Sequence, residues 1–167
     1  MKTTNTTPAI ASTLEISTVA KWIEDKQHKF TLRLTNTATG ETMTFPYSGG
    51  CLAFLPKETP QNKTRLASIR AALSRPVRTI ADAEARDKAM LDAHALAKPD
   101  LAGVLHSLLC DMDAGAESFR EFCDSYGYEH DSRKAYKTWE TCQEIGKYFR
   151  RVARAHIAEI REALADY

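Results

Sequence analysis

His106 and Cys110 lie four positions apart on one face of an amphipathic stretch, and with Cys123 and Cys142 they supply the donor types of a Cys3His structural zinc shell. The spacing argues against that use. The four cysteines, Cys51 included, are separated by 59, 13 and 19 positions and form no CxxC pair. Cys110, Cys123 and Cys142 fall on apolar helix faces, where a reduced thiol behaves as a small hydrophobe, so free, metal-free thiols are expected. Nucleophilic Cys/His work has no better signal. Four cysteines and five histidines (His28, His94, His106, His130, His156) supply pairs by number alone. Asp111 with Asp113, and Glu140 with Glu144, have the type for acid–base chemistry but the placement of solvating charge on helices. Gly49-Gly50 lacks the Lys-Ser/Thr of a phosphate loop and the glycine spacing of a dinucleotide site, and no HExxH or GxSxG occurs. No catalytic residue, cofactor or metal is expected, and the protein reads as non-enzymatic.

Charge is the feature that remains. The whole chain carries a net +1, which excludes a strongly basic nucleic-acid binder and a wholesale acidic mimic of DNA. Locally the balance is uneven. Residues 111–131 hold seven acids against Arg120, a net of −6, whereas 132–154 hold seven bases against Glu140 and Glu144, a net of +5. Two partner-binding surfaces follow. One is acidic (Asp111, Asp113, Glu117, Glu121, Asp124) and suits a basic groove on a partner. The other is basic (Lys147, Arg150, Arg151, Arg154), with Arg133 and Lys137 on nearby turns and Tyr136 and Tyr148 between them, and suits phosphates. The competing expectation for the basic face is a solvated surface neutralised by the acidic segment alongside it.

The elements that carry these residues follow from periodicity. Phe30, Leu32 and Leu34 alternate with Thr31, Arg33 and Thr35 as a half-buried strand, flanked by LEISTVAKWI and TMTFPY, so three antiparallel strands are expected near residues 13–47. Gly40 supplies the positive φ of a hairpin, Pro46 ends the third strand or puts it on an edge, and Ser48-Gly49-Gly50 reads as a loop. Two Ala-rich helices then follow within 51–98, with stripes of Leu66, Ile69 and Leu73, and of Ile80, Met90, Leu91 and Leu96. Leu101, Val104, Leu105, Leu108, Leu109 and Met112 mark a stronger helix. Ser118 with Glu121 forms a capping box for a short helix with Phe119, Phe122, Cys123 and Tyr126 inward, and Gly127 stops it. Asp131 or Ser132 caps a long helix whose stripe is Ala135, Trp139, Cys142, Ile145 or Gly146, Phe149 and Val152; Trp139 is expected at its hub, against Leu105, Leu109 and Phe122. A final helical segment carries Ile157, Ile160 and Leu164.

Together these give an α+β fold: a small antiparallel sheet packed on a C-terminal helical bundle, with a helical insertion. The expected organisation is a flexible tail at 1–12, strands over 13–50, the insertion at 51–98 and the bundle at 99–167, with 13–167 one compact domain. Hydrophobic residues at 43% and charged residues at 27% are the proportions of a globular chain. The first fifteen residues have no apolar run of a signal peptide and no later stretch suits a membrane span, so a cytoplasmic location is expected.

TMTFPYSGG, LAGVLHSLLCDMDA and SFREFCDSYGYEHDSRKAYKTWETCQEIGKYFRR resemble a family of small proteins encoded by bacteriophages, prophages and integrative elements. That family pairs a hairpin ending in a Pro-Phe/Tyr-Tyr-Thr-Gly-like turn with a DVLxxLLSDA-like helix, a SFEDWCxxxGYDxDSRKA-like segment and a long helix with an internal Cys. The match covers 28–50 and 100–151, under half the chain; the Gly127-Tyr128 to Asp131-Ser132-Arg133-Lys134-Ala135 corner is its specific part, and 52–98 resembles an insertion. The resemblance supplies no catalytic residue. It implies an accessory protein of a mobile element that binds and inhibits a host protein or ribonucleoprotein complex, a CRISPR-Cas inhibitor being the expected kind. The alternative is a nucleic-acid-binding accessory factor of phage replication or transcription.

Overall fold

The structure, a computed structural model, describes residues 13–50 and 52–166; the expected tail at 1–12 and Cys51 lie outside the described residues. Three strands, β1 (Leu14–Glu24), β2 (Gln27–Asn36) and β3 (Thr42–Gly50), form one antiparallel sheet in the order β1-β2-β3. Six helices follow: α1 (Lys63–Ser74), α2 (Ile80–Leu96), α3 (Leu101–Ala116), α4 (Phe119–Tyr126), α5 (Arg133–Val152) and α6 (Ile157–Ala163). The fold is α+β, as its periodicities require. Among the described residues no helix is long and apolar enough to cross a membrane.

The β1–β2 hairpin closes through Asp25 and Lys26, both at positive φ (51° and 61°), the twist that matches a two-residue turn to its strands. The β2–β3 turn uses Gly40 at φ 75°. Asn36, buried at the end of β2, holds that turn: its Oδ1 accepts from the Ala38 and Thr39 N–H groups at 3.0 and 3.3 Å, and its Nδ2 donates to the Val152 carbonyl at 2.9 Å. Pro46 sits inside β3, an edge strand, where its missing N–H costs no ladder bond. The expected loop at 48–50 is strand instead. Gly49 faces the Phe54 ring so closely that a Cβ would stand 2.8 Å from the ring's Cζ, and the absence of a side chain lets the strand run on beneath it.

Contacts divide the chain into two compact units that cut across the strands. The first comprises residues through Ser17, Leu32–Phe45 and Leu101 onward. Its core holds Leu14, Leu32, Leu34, Met43 and Phe45 from the sheet, with Val104, Leu105, Leu108, Met112, Phe122, Phe149, Val152 and Ile160 from the helices. α3 crosses α5 almost backbone to backbone: a Cβ on Gly115 would lie 2.6 Å from the Cys142 carbonyl carbon, and one on Gly146 would lie 3.0 Å from the Met112 Cα. Gly146, one of the two residues expected at that point of the α5 stripe, is buried and makes one of these approaches; nothing in the sequence marks its counterpart Gly115. α4 carries the expected capping box, Ser118 with Glu121, and stops at Gly127 with φ 70°. Ser132 caps α5, its Oγ accepting from the Ala135 N–H at 3.2 Å.

Several side chains are placed differently from expectation. Tyr126 points out. Trp139 is half-buried at the rim of the cluster formed by Ala114, Phe122, Cys123, Ala135 and Cys142, its Nε1 donating to the Glu117 carbonyl at 3.0 Å, while Phe122 of α4 and Phe149 of α5 are fully buried. Cys110 is exposed.

The second unit comprises Thr18–Thr31 and Pro46–Asp100. α1 buries Leu66 and Ile69; α2, opened by a Thr79–Asp82 capping box, buries Ala89 and Ala93. The stripe expected on α2 is reversed, since Ile80 is 81% and Leu91 65% exposed. Small alanines are what let the helix seat closely. At the sheet's end of this unit Phe30, Phe54 and His28 are buried together, and the His28 ring meets His94 edge to face at 5.1 Å. Among the described residues neither nitrogen of His28, nor Nδ1 of His94, has a hydrogen-bond partner. Lys21 caps the group, its Nζ donating to the His94 carbonyl at 2.9 Å.

An arginine-lined cleft as candidate functional site

α5 ends at Val152, and its last turn carries Arg150 and Arg151, where cations offset the negative end of the helix dipole. The chain then bends through 153–156 into α6, short and anchored by the buried Ile160. This bend gathers Arg150, Arg151 and Arg154 with Arg161 of α6 around a cleft of about 710 Å³, floored by Met112 and Ile157 and bordered by Glu41 of the β2–β3 turn. Four guanidinium groups thus share one concavity with a single carboxylate on its border.

They are held differently. Arg151 lies over the Tyr148 ring, 5.2 Å from its centroid, and donates to the Thr42 carbonyl at 3.4 Å. Arg161 forks the Asp113 carboxylate of α3, Nη1 donating to Oδ2 at 2.8 Å and Nη2 to Oδ1 more closely still; this pairing holds Arg161 more firmly protonated than usual. Arg150 and Arg154 are exposed and engage no carboxylate among the described residues. Their fixed charge and forked donors suit phosphate or carboxylate oxygens, and nothing lining the cleft acts as a nucleophile.

Of the basic set read from the sequence, Arg150, Arg151 and Arg154 come together. Lys147 does not join them. It borders a shallow depression on α5 with Lys137, Glu140, Thr141, Gln143 and Glu144, where the charges balance. Among the described residues no ion pair joins the acidic segment to the lysines and arginines of 132–154; Asp113 pairs instead with Arg161, outside that set. Arg161 was missed because 48 positions separate it from Asp113 and nothing local marks the pairing. Glu41 was missed as a turn residue.

In the acidic set each member has its own local arrangement. Asp113 is in the fork of Arg161. Asp111 is partly buried, which pushes its carboxyl above the usual range against the pull of the Cys142 thiol donating at 3.7 Å. Burial, with the Asp111 charge behind it, pushes that thiol up to about 11. Glu117 has one carboxylate oxygen buried without a partner among the described residues. Glu121 is held below its ordinary value by the Ser118 hydroxyl and N–H that it accepts from, and Asp124 pairs with His130 at 2.7 Å.

The zinc donors are also dispersed. His106 stands 3.9 Å from the Cys110 sulfur, but Cys123 donates to the Glu129 carbonyl at 3.8 Å and Cys142 to Asp111. Among the described residues no three His, Cys, Asp or Glu side chains converge on a point.

No protein-family model, curated protein or solved structure matches the chain.

Proposed function

We propose that the protein is a non-enzymatic binding protein of a mobile element that holds nucleic-acid phosphates in its arginine cleft, whether the nucleic acid is free or carried in a host ribonucleoprotein of the CRISPR-Cas kind. One observation carries the reading: Arg150 and Arg154 stand without a carboxylate beside Arg151 and Arg161 in one cleft. Arg161 is neutralised by Asp113 and Glu41 borders the cleft, but Arg150 and Arg154 stand beside Arg151 with no carboxylate paired to them among the described residues, and phosphate oxygens relieve that repulsion with charge-assisted hydrogen bonds. The mobile-element context comes from the resemblance at 28–50 and 100–151. The acidic residues offer less, because they are spread over separate local contacts.

Fluorescence anisotropy with labelled oligonucleotides tests this. Engagement of three or four phosphates gives a slope of about −2 to −3 for log K against log salt on a single strand. The double reversal Arg150→Glu, Arg154→Glu should abolish binding at about 150 mM salt while the melting temperature holds. If the parent binds no nucleic acid even at about 50 mM salt, and a host complex captured on it survives nuclease treatment, the protein acts on a protein surface and the phosphate reading is wrong.

A further inference from the structure

The cleft's rim distinguishes between forms of nucleic acid. Duplex DNA carries a charge every ~1.7 Å of axis, twice the density of one strand, and needs a broad basic surface along both backbones. Here the basic footprint is narrow. Glu41 borders the arginines in the cleft itself, and about two to three turns back along α5 from Arg150 Glu140 and Glu144 share their depression with Lys137 and Lys147. A second strand's phosphates would meet those carboxylates.

The other distinguishing group is aromatic. Tyr148 is 43% exposed on α5, and Arg151, which lines the cleft, lies over its ring. An exposed ring fixed by a guanidinium beside unpaired arginines combines the two parts by which proteins hold single strands, a cationic track for the backbone and a platform for a base. A base paired inside a duplex offers no face to such a ring.

We infer that the cleft takes single-stranded nucleic acid, with backbone phosphates on Arg150, Arg154 and Arg161 and one base stacked against the exposed ring of Tyr148. This rests on the phosphate reading above and narrows it to one ligand class. Phosphates supply most of the affinity; the stacked base supplies the preference for an unpaired strand.

The measurement is a pair of titrations at equal salt, one with a labelled mixed-sequence single strand of about twelve nucleotides and one with the corresponding duplex, on the full chain. The single strand should bind at least about tenfold more tightly. Tyr148→Ala should weaken single-strand binding by about tenfold and leave duplex binding unchanged, whereas Tyr148→Phe, which keeps the ring, should stay within about twofold of the parent. An unchanged melting temperature for Tyr148→Ala, expected from the side chain's exposure, assigns the loss to the ligand. Equal affinity for both forms, or Tyr148→Ala binding as the parent does, overturns the single-strand inference while Arg150→Glu, Arg154→Glu still abolishes binding. If neither form binds, or the charge reversals change nothing, the phosphate reading falls and this inference with it.

Discussion

The α3–α5 crossing in the first unit and the α1–α2 pair in the second both seat helices on small residues, yet with different tolerance. At the crossing the small residues are Gly115 and Gly146, and the space a Cβ would need is already filled by main chain. In the pair they are Ala89 and Ala93 on α2, with Leu66 and Ile69 buried on α1, so side chains make the contact and can shift. The polar groups differ likewise. Asn36 is buried with its amide oxygen and nitrogen both bonded, while His28 is buried with neither ring nitrogen bonded. The first unit is closed to change; the second holds an unmet demand. A buried polar group without a partner makes a core sensitive to its protonation state.

The most direct way to break this comparison is to enlarge one small residue in each region. Gly115→Ala puts a Cβ into the Cys142–Gln143 peptide and should cost about 3 kcal/mol or more, enough to abolish a cooperative urea transition, whereas Ala93→Val should cost about 1 to 2 kcal/mol. Equal costs would show that the two contacts are alike. Trp139→Ala comes next. Half-buried, it should lose about 2 to 3 kcal/mol by thermal or urea melting, below the full range for a core aromatic, and Trp139→Phe should recover part of that.

How much of this was legible follows from what each element needs. α3 shows its stripe because one face is buried along its length, and α4 shows both ends because Ser118, Glu121 and Gly127 act within a few residues of one another. Such local chemistry leaves a local mark. Gly115 left none, since a glycine near the end of a helix reads as a stop signal until its neighbour across the crossing is known. The exposed Ile80 and Leu91 misled for the same reason: which face of α2 is buried is decided by α1. The arginine cleft was half legible. Arg150, Arg151 and Arg154 recur within about one turn of one another, but Arg161 joins them only through the bend after α5.

Acid sharpens the comparison with a smaller effect. Burial, then the proximity of Lys21, lowers the affinity of His94 for a proton, and His28 is lowered by burial, His94 and Lys21 in that order. With folded values below the ordinary 6.5, the unfolded chain binds more protons as the pH falls through 6.5, so this stability is present above 6.5 and lost on acidification. Protection factors from hydrogen exchange, which take out the intrinsic pH dependence of the amide rate, should therefore fall between pH 7.5 and 5 in α2 and the first half of β2 before they do in α3 and α5, and His28→Phe should remove part of that dependence. A uniform fall would mean that the buried histidine is not the weak point.

The smallest effect is chemical. Cys110 is exposed and should react with a thiol reagent within minutes at pH 8, whereas Cys142, pushed up to about 11, and the buried Cys123 should wait for unfolding. Mass spectrometry of the labelled peptides reads the order directly, and prompt labelling of Cys142 would show that the α3–α5 contact opens readily.

The chain passes between its two units at four places, after Ser17, Thr31, Phe45 and Asp100, so each unit is woven from separated segments. A protease that nicks the α1–α2 connection at Arg75 releases neither unit, since both fragments still thread through both. The clipped protein should migrate as one species on a native gel and separate only in denaturant. A gene fragment that ends anywhere before Asp100, for its part, encodes neither unit whole, so a crossover within the first three fifths of the chain separates pieces of both.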